Sequence, residues 1–182
     1  MKVQKWKLLD SEYIFRRPWL TARRDRLELP DGRIHPEYYV LEYPTWVNIV
    51  AITADGMFLM VEQYRHGLGE VLTELVAGCV EEGETPLEGA RRELLEETGY
   101  GNGTWEQITV LSSNAAANNN LSYSFLAVGV EKLGSQNLDN TEDIQVKLYT
   151  REEVRQMLLR DEIRQANMAA PLWKYFAMNN LL

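Results

Sequence analysis

The stretch Gly78–Tyr100, GCVEEGETPLEGARRELLEETGY, most constrains what this chain can become. Thr85-Pro86-Leu87-Glu88 predicts a helix start, with Thr at the N-cap, Pro at the first helical position and Glu three residues after the Thr. Gly99 predicts its end, because glycine takes the left-handed C-terminal conformation without a Cβ penalty. At about 100° per residue, Leu87, Ala90, Leu94 and Thr98 form one stripe that can face a core. Glu93, Glu96 and Glu97 fall on another side at spacings of three and four, where like charges repel. Arg92 supplies one positive charge, and one does not balance the cluster. A hard divalent cation can supply the rest: Mg²⁺ takes oxygen ligands, binds through one or two carboxylates plus substrate phosphates, and keeps several waters. The bland alternative is a solvated acidic helix face, which is what most charge runs are. Glycines at both ends and an arginine at a fixed place argue against it here.

The whole pattern is G-x5-E-x7-R-E-U-x-E-E-x-G-U, U being a bulky apolar residue, and Gly78, Glu84, Arg92, Glu93, Leu94, Glu96, Glu97 and Gly99 fill its fixed positions. It resembles the signature box of the Nudix hydrolases, enzymes that cleave a nucleoside diphosphate linked to another moiety. Three flanks, Glu62-Gln63-Tyr64-Arg65, Glu74-Leu75-Val76-Ala77 and Asn140-Thr141-Glu142-Asp143-Ile144, are similar to the ADP-ribose and nucleotide-sugar pyrophosphatase branch. The resemblance implies an α+β (α/β/α) fold: a mixed β-sheet between helices, carrying an N-terminal antiparallel β appendage. It further implies Mg²⁺-dependent (or Mn²⁺-dependent) hydrolysis of the diphosphate bond of ADP-ribose or a nucleotide sugar. The products would be a nucleoside monophosphate and a sugar phosphate.

By the same resemblance, Glu93 and Glu97 are the expected metal ligands, with Glu96 the third and the Ala77 carbonyl beside them. Glu84 and Arg92 are expected to orient those ligands, and Gly78, Glu84 and Gly99 to shape the box. Glu96 and Arg92 also join Glu142, the expected general base, in the catalytic group, with Asp143 the alternative base. A solvated turn ahead of Ile144 is the bland reading of that loop. For the substrate, a nucleoside diphosphate derivative, Arg65 offers a donor fork for phosphate or ribose oxygens, and Glu74 a contact to the terminal sugar. Trp19 resembles the aromatic that stacks on the base across a homodimer interface; an ordinary buried tryptophan is the competing reading. One departure is that Ser112–Asn120 lacks the proline that ADP-ribose hydrolases of this branch tend to carry. Its asparagines can instead present amides to a sugar or base, or form a solvated loop. Two other functions compete: a non-catalytic Nudix-like module that binds a nucleotide for regulation, and an isomerase of prenyl diphosphates. The retained carboxylates oppose the first, and the apolar setting of Cys79 opposes the second.

A net charge of −8 argues against a nucleic-acid backbone as partner, but not against a small phosphorylated substrate held through cations. Cys79 is the lone cysteine, so no intrachain disulfide forms. With no leader segment and no run of about 18 apolar residues, no membrane partner and a cytoplasmic location are expected.

The expected organisation is an N-terminal β segment over residues 1–44, taken as the dimerisation element, and a main domain over 45–182. Strands are predicted at 19–29, 37–43, 46–53, 57–64, 105–111, 121–130 and 144–149. Asp55-Gly56 marks a hairpin. Thr150-Arg151-Glu152-Glu153 is a second capping box, and a last helix is predicted near Pro171–Met178. A two-strand hairpin is marginal alone, and residues 1–44 carry many aromatics, so this segment is expected to pack on a second subunit.

Overall fold

The computed structural model describes residues 2–181. In chain order the elements are β1 (Lys7–Arg17), β2 (Leu20–Glu28), β3 (Ile34–Glu42), β4 (Trp46–Thr53), β5 (Phe58–Arg65), β6 (Glu70–Glu74), β7 (Val76–Cys79), α1 (Pro86–Thr98), β8 (Tyr100–Gly101), β9 (Thr104–Leu111), β10 (Ser122–Lys132), β11 (Ile144–Tyr149), α2 (Arg151–Leu159) and α3 (Ala166–Met178). The chain forms two compact units, Met1–Pro44 with Ser112–Asn120, and Thr45–Leu111 with Leu121–Leu182.

The first unit is a three-stranded antiparallel sheet in the order β1-β2-β3, one strand more than the hairpin read from sequence. The missed strand, β1, has register shifts between Leu8 and Asp10 and between Tyr13 and Phe15. Such bulges break the period-2 alternation that marks a strand in a sequence. The Asn-rich segment closes on the end of β3: Leu41 N–H donates to Ala117 O at 2.8 Å, and Asn119 N–H to Leu41 O at 3.2 Å. Asn119 Oδ1 accepts from Tyr43 N–H, and Asn120 Nδ2 donates to Pro44 O. Two of the loop's asparagine side chains thus bind the chain's own backbone, while residues 112–116 and Asn119 stay exposed.

The second unit is an eight-stranded mixed sheet whose spine runs β11-β5-β4-β10-β8, with β6 beside β5, β7 beside β4 and β9 beside β10. Only β4 and β10 pair in parallel. Successive residues of a strand point to opposite faces, and β4 shows it. Val47, Ile49 and Ala51 join Ala90 and Leu94 of α1 in one apolar cluster. Val50 and Ile52 join Val154 and Leu158 of α2 and Leu172 and Phe176 of α3 in another. The sheet therefore lies between helices, as the resemblance implied. Burial on both faces explains why β4 reads WVNIVAIT, an almost unbroken apolar run.

Both expected capping boxes form, Thr85 with Glu88 and Thr150 with Glu153. Helix α3 begins at Ala166 rather than Pro171, which lies inside it. Burial of Asn167 and Met168 extends the helix ahead of the proline that looked like its start. Strands β6 and β7, absent from the sequence reading, are short and separated only by Leu75.

Candidate active site

Strand β7 runs into the box and pairs with β4, placing Ala77 opposite Asn48 and Gly78 opposite Val47. A Cβ on Gly78 would overlap the Glu93 carboxyl group. Gly78 thus gives the Glu93 carboxyl group room against β7, and a side chain there would push that carboxyl aside.

Arg92 organises that side of the helix. Its Nε and Nη2 donate to Glu84 at 2.8 and 3.1 Å, Nη2 to Cys79 O at 2.8 Å, and Nη1 to Glu93 and Glu96 at 3.0 Å each. The Glu84 hydrogen bonds, above all, raise the Arg92 pKa, and the same bonds hold the Glu84 carboxyl below its ordinary value. Glu84 also accepts from Glu81 N–H, which fixes the loop leading into the helix. Here it is a strut between loop and arginine. Among the described residues no three acidic, histidine or cysteine side chains converge as a ready cage. The expected triple cluster is instead split, because Arg92 takes Glu93 and Glu96 to itself and leaves Glu97 on the inner side.

Glu97 is 3% exposed, and its Oε2 has no hydrogen-bond partner among the described residues. Burial first, then the carboxylates of Glu93 and Glu142, push its pKa up from 4.5 to about 8, opposed by a hydrogen bond from the Ala77 backbone. Burial likewise raises Glu93. A buried carboxylate oxygen without a donor is costly, and here the cost falls on the residue that the sequence singled out. An all-oxygen donor set with an orphaned carboxylate oxygen suits a hard divalent cation.

A cleft of about 520 Å³ opens beside β7 and is lined by Arg65, Ala77, Gly78 and Cys79, among others. Arg65 donates through Nε and Nη2 to Glu74, closing at 2.6 Å. The Glu74 carboxylate is 1% exposed and also accepts from Gln63 at 3.3 Å. The sugar contact expected of Glu74 is therefore corrected: its carboxylate is buried and occupied in orienting Arg65. Burial raises the Cys79 thiol, which agrees with an inert filler. Glu142 lies on the loop before β11, where its carboxylate accepts from Asp139 N–H at 2.9 Å. Trp19 is 74% exposed, which removes the buried-tryptophan reading; it belongs to the first unit and is not among the cleft residues. Sequence reasoning missed Asn48, a buried cleft residue whose Nδ2 donates to Ser122 Oγ at 2.9 Å while Oδ1 has no partner among the described residues. The available signal was a lone amide in an apolar strand.

Comparison with known proteins decides the family. The Nudix domain model matches residues 43–171. This chain belongs to the Nudix hydrolase family. A second model, the nucleoside diphosphate sugar hydrolase N-terminal domain, matches residues 6–41. The Nudix chain is 30% identical to the ADP-ribose pyrophosphatase of Bacillus subtilis (strain 168) over 170 residues, covering 93% of this chain and 91% of that one. It is 32% identical to the ADP-ribose pyrophosphatase of Mycobacterium tuberculosis over 165 residues (90% and 79%). It is also 30% identical to the methanol dehydrogenase activator of Bacillus methanolicus over 163 residues (89% and 88%). A solved structure described as an ADP compounds hydrolase shares the fold at a TM-score of 0.85 and 21% identity, each chain covered completely. The protein is accordingly a pyrophosphohydrolase of a family that works with divalent metal. No helix among the described residues is long and apolar enough to cross a membrane.

Proposed function

We propose that this hydrolase cleaves the diphosphate bond of ADP-ribose or a related nucleotide sugar, using Mg²⁺ or Mn²⁺, and releases a nucleoside monophosphate and a sugar phosphate. The observation that carries the reading is the buried, donorless Glu97 oxygen, one helical turn from Glu93, whose carboxyl group lies against Gly78. Two relatives named for ADP-ribose support that substrate, although residues 112–120 lack a proline. Glu93 and Glu97 would hold the ion, with Glu96 and the Ala77 carbonyl completing its protein side. When bound, the ion neutralises diphosphate oxygens and lowers the pKa of water.

Arg92 and Glu84 keep the ligands oriented. Arg65, braced by Glu74, holds a phosphate or ribose oxygen in the cleft. Glu142, with Asp143 as the alternative, removes a proton from the water as it attacks phosphorus and the P–O bond to the leaving phosphate breaks. The relative named as an activator keeps a regulatory binding module in view, but retention of every box carboxylate favours hydrolysis.

We also propose a cytoplasmic homodimer built on residues 1–44, with Trp19 serving the partner's nucleotide. The supporting observation is the exposed apolar surface of β1–β3, including Leu8, Ile14, Phe15, Trp19, Ile34 and Tyr39. The test of substrate is a panel of ADP-ribose, nucleotide sugars and dinucleoside polyphosphates with Mg²⁺, with products identified. Turnover of ADP-ribose or a nucleotide sugar to monophosphate products is expected. Preference for dinucleoside polyphosphates, or no turnover of any substrate, would overturn it.

A further inference from the structure

Helix α1 ends with carbonyls that no intrahelical N–H can reach. Beyond Leu95 O, which Gly99 N–H serves, the end of β10 and the segment after it supply donors to the carbonyls of Glu96, Glu97, Thr98 and the C-cap Gly99. Asn137 N–H donates to Glu96 O at 2.8 Å, Gln136 Nε2 to Glu97 O at 2.7 Å, Lys132 Nζ to Thr98 O at 2.7 Å, and Leu133 and Gly134 N–H to Gly99 O at 2.8 and 3.1 Å. Four of these five donors are backbone or flexible cation. Gln136 differs, because its Nε2 also donates to Ile144 O at 3.1 Å, at the start of β11. One amide therefore ties the metal-ligand helix to the far end of the loop that carries Glu142.

The loop between those anchors is short. It leaves α1 at Asn137, seats Leu138 against the apolar cluster containing Leu94, and turns with Glu142 N–H donating to Asp139 O at 3.0 Å. Gln136 joins the two ends directly, and the Glu142 carboxylate sits between them, accepting from Asp139 N–H. The bonds from Asn137 to Glu96 O and from Gln136 to Glu97 O anchor the near end of that loop to the ligand residues themselves.

We propose that Gln136 is a positioning residue, a two-carbonyl clamp that fixes the Glu142 loop at the height on α1 where the ligand carboxylates stand. This rests on Glu142 being the base. Without the clamp the loop keeps its sequence and its base but loses its register, and a base displaced by about 1 Å costs on the order of 100-fold. A carboxylate in the same position could not serve, since it would face two carbonyl oxygens with no proton to donate.

The test is a double-mutant cycle between Gln136→Leu and Glu142→Gln. Gln136→Leu should lower kcat by about 10- to 100-fold, the usual range for a residue that orients a reacting group. KM and the Mn²⁺ dissociation constant measured by calorimetry should stay nearly unchanged. In the Glu142→Gln background the same substitution should cost almost nothing further. An equal loss in both backgrounds overturns the clamp while leaving Glu142 as base. Full activity of Glu142→Gln overturns the base and the clamp together. If Gln136→Leu does not fold, Gln136→Glu, matched in size, is read by the same cycle. Gln136→Asn, which keeps the donor but reaches less far, should recover part of kcat; wild-type kcat in either Gln136→Leu or Gln136→Glu removes the proposal.

Discussion

Every residue of β1 is exposed, and its exposed side chains include Leu8, Leu9, Tyr13, Ile14 and Phe15. Helix α1 does the reverse, burying Ala90, Leu94 and Thr98 and, with them, the acid Glu97. The first region leaves apolar surface in water and the second leaves an ionisable group out of it, so each carries a deficit that a second species can relieve. In the proposed reading that species is another protein surface for the sheet and a cation for the helix. The difference teaches that an exposed apolar face and a buried carboxylate are comparable clues to binding, read with opposite signs.

Breaking the helix side of that comparison should have the largest effect. Glu97→Gln and Glu93→Gln, made separately, should each lower turnover by orders of magnitude in Mg²⁺. Their metal-free melting temperatures should hold level or rise, because a like-charge contact and a desolvated charge are removed. Near-normal kcat in either variant would reassign the ligands.

Glu142→Gln should lower kcat by about 10²- to 10⁴-fold, the contribution of a general base, with Mn²⁺ binding preserved. Normal activity there together with collapse in Asp143→Asn would move the role by one residue. The two box glycines sharpen the contrast between function and folding. Gly78→Ala should displace only the mobile end of Glu93, costing activity while calorimetry shows a near-native melt. Gly99→Ala should instead destabilise by about 1–3 kcal/mol, because Gly99 has φ +71° and its Cβ would meet the Gly134 backbone.

A smaller effect is expected from pH. Glu97 has an ordinary pKa of 4.5 and about 8 in the fold, so the folded state holds the proton more tightly. Stability of the protein in EDTA is then fully present below about 4.5 and declines as pH rises towards 8. The slope of melting temperature against pH should flatten in Glu97→Gln; an identical slope in both proteins would show that Glu97 titrates normally. For the sheet, sedimentation at micromolar concentration should give a dimer, and Phe15→Ser with Ile14→Ser should shift it towards monomer. A wild-type monomer would remove the interface and the role of Trp19 across it.

Much of the box was legible because its logic is local: Thr85 and Glu88 cap each other, Gly99 ends the helix, and the spacing of the glutamates sets their face. Strands β4 and β5 were legible from apolar runs around Asp55-Gly56. What escaped depends on neighbours distant in sequence. The carboxylate of Glu74 looked available until β6 placed it under Arg65. Nothing local to Gln136 indicates that it spans two carbonyls, one on α1 and one on β11. The bulges of β1 erased the alternation that would have revealed it.

Mn²⁺ binding tests the central claim most directly, since it reads the carboxylate pair without requiring turnover or a chosen substrate. Titration followed by electron paramagnetic resonance should show Mn²⁺ binding to the wild-type protein, strongly weakened in both Glu93→Gln and Glu97→Gln and retained in Glu142→Gln. Unchanged affinity in Glu97→Gln would contradict the assignment of that buried oxygen to the metal.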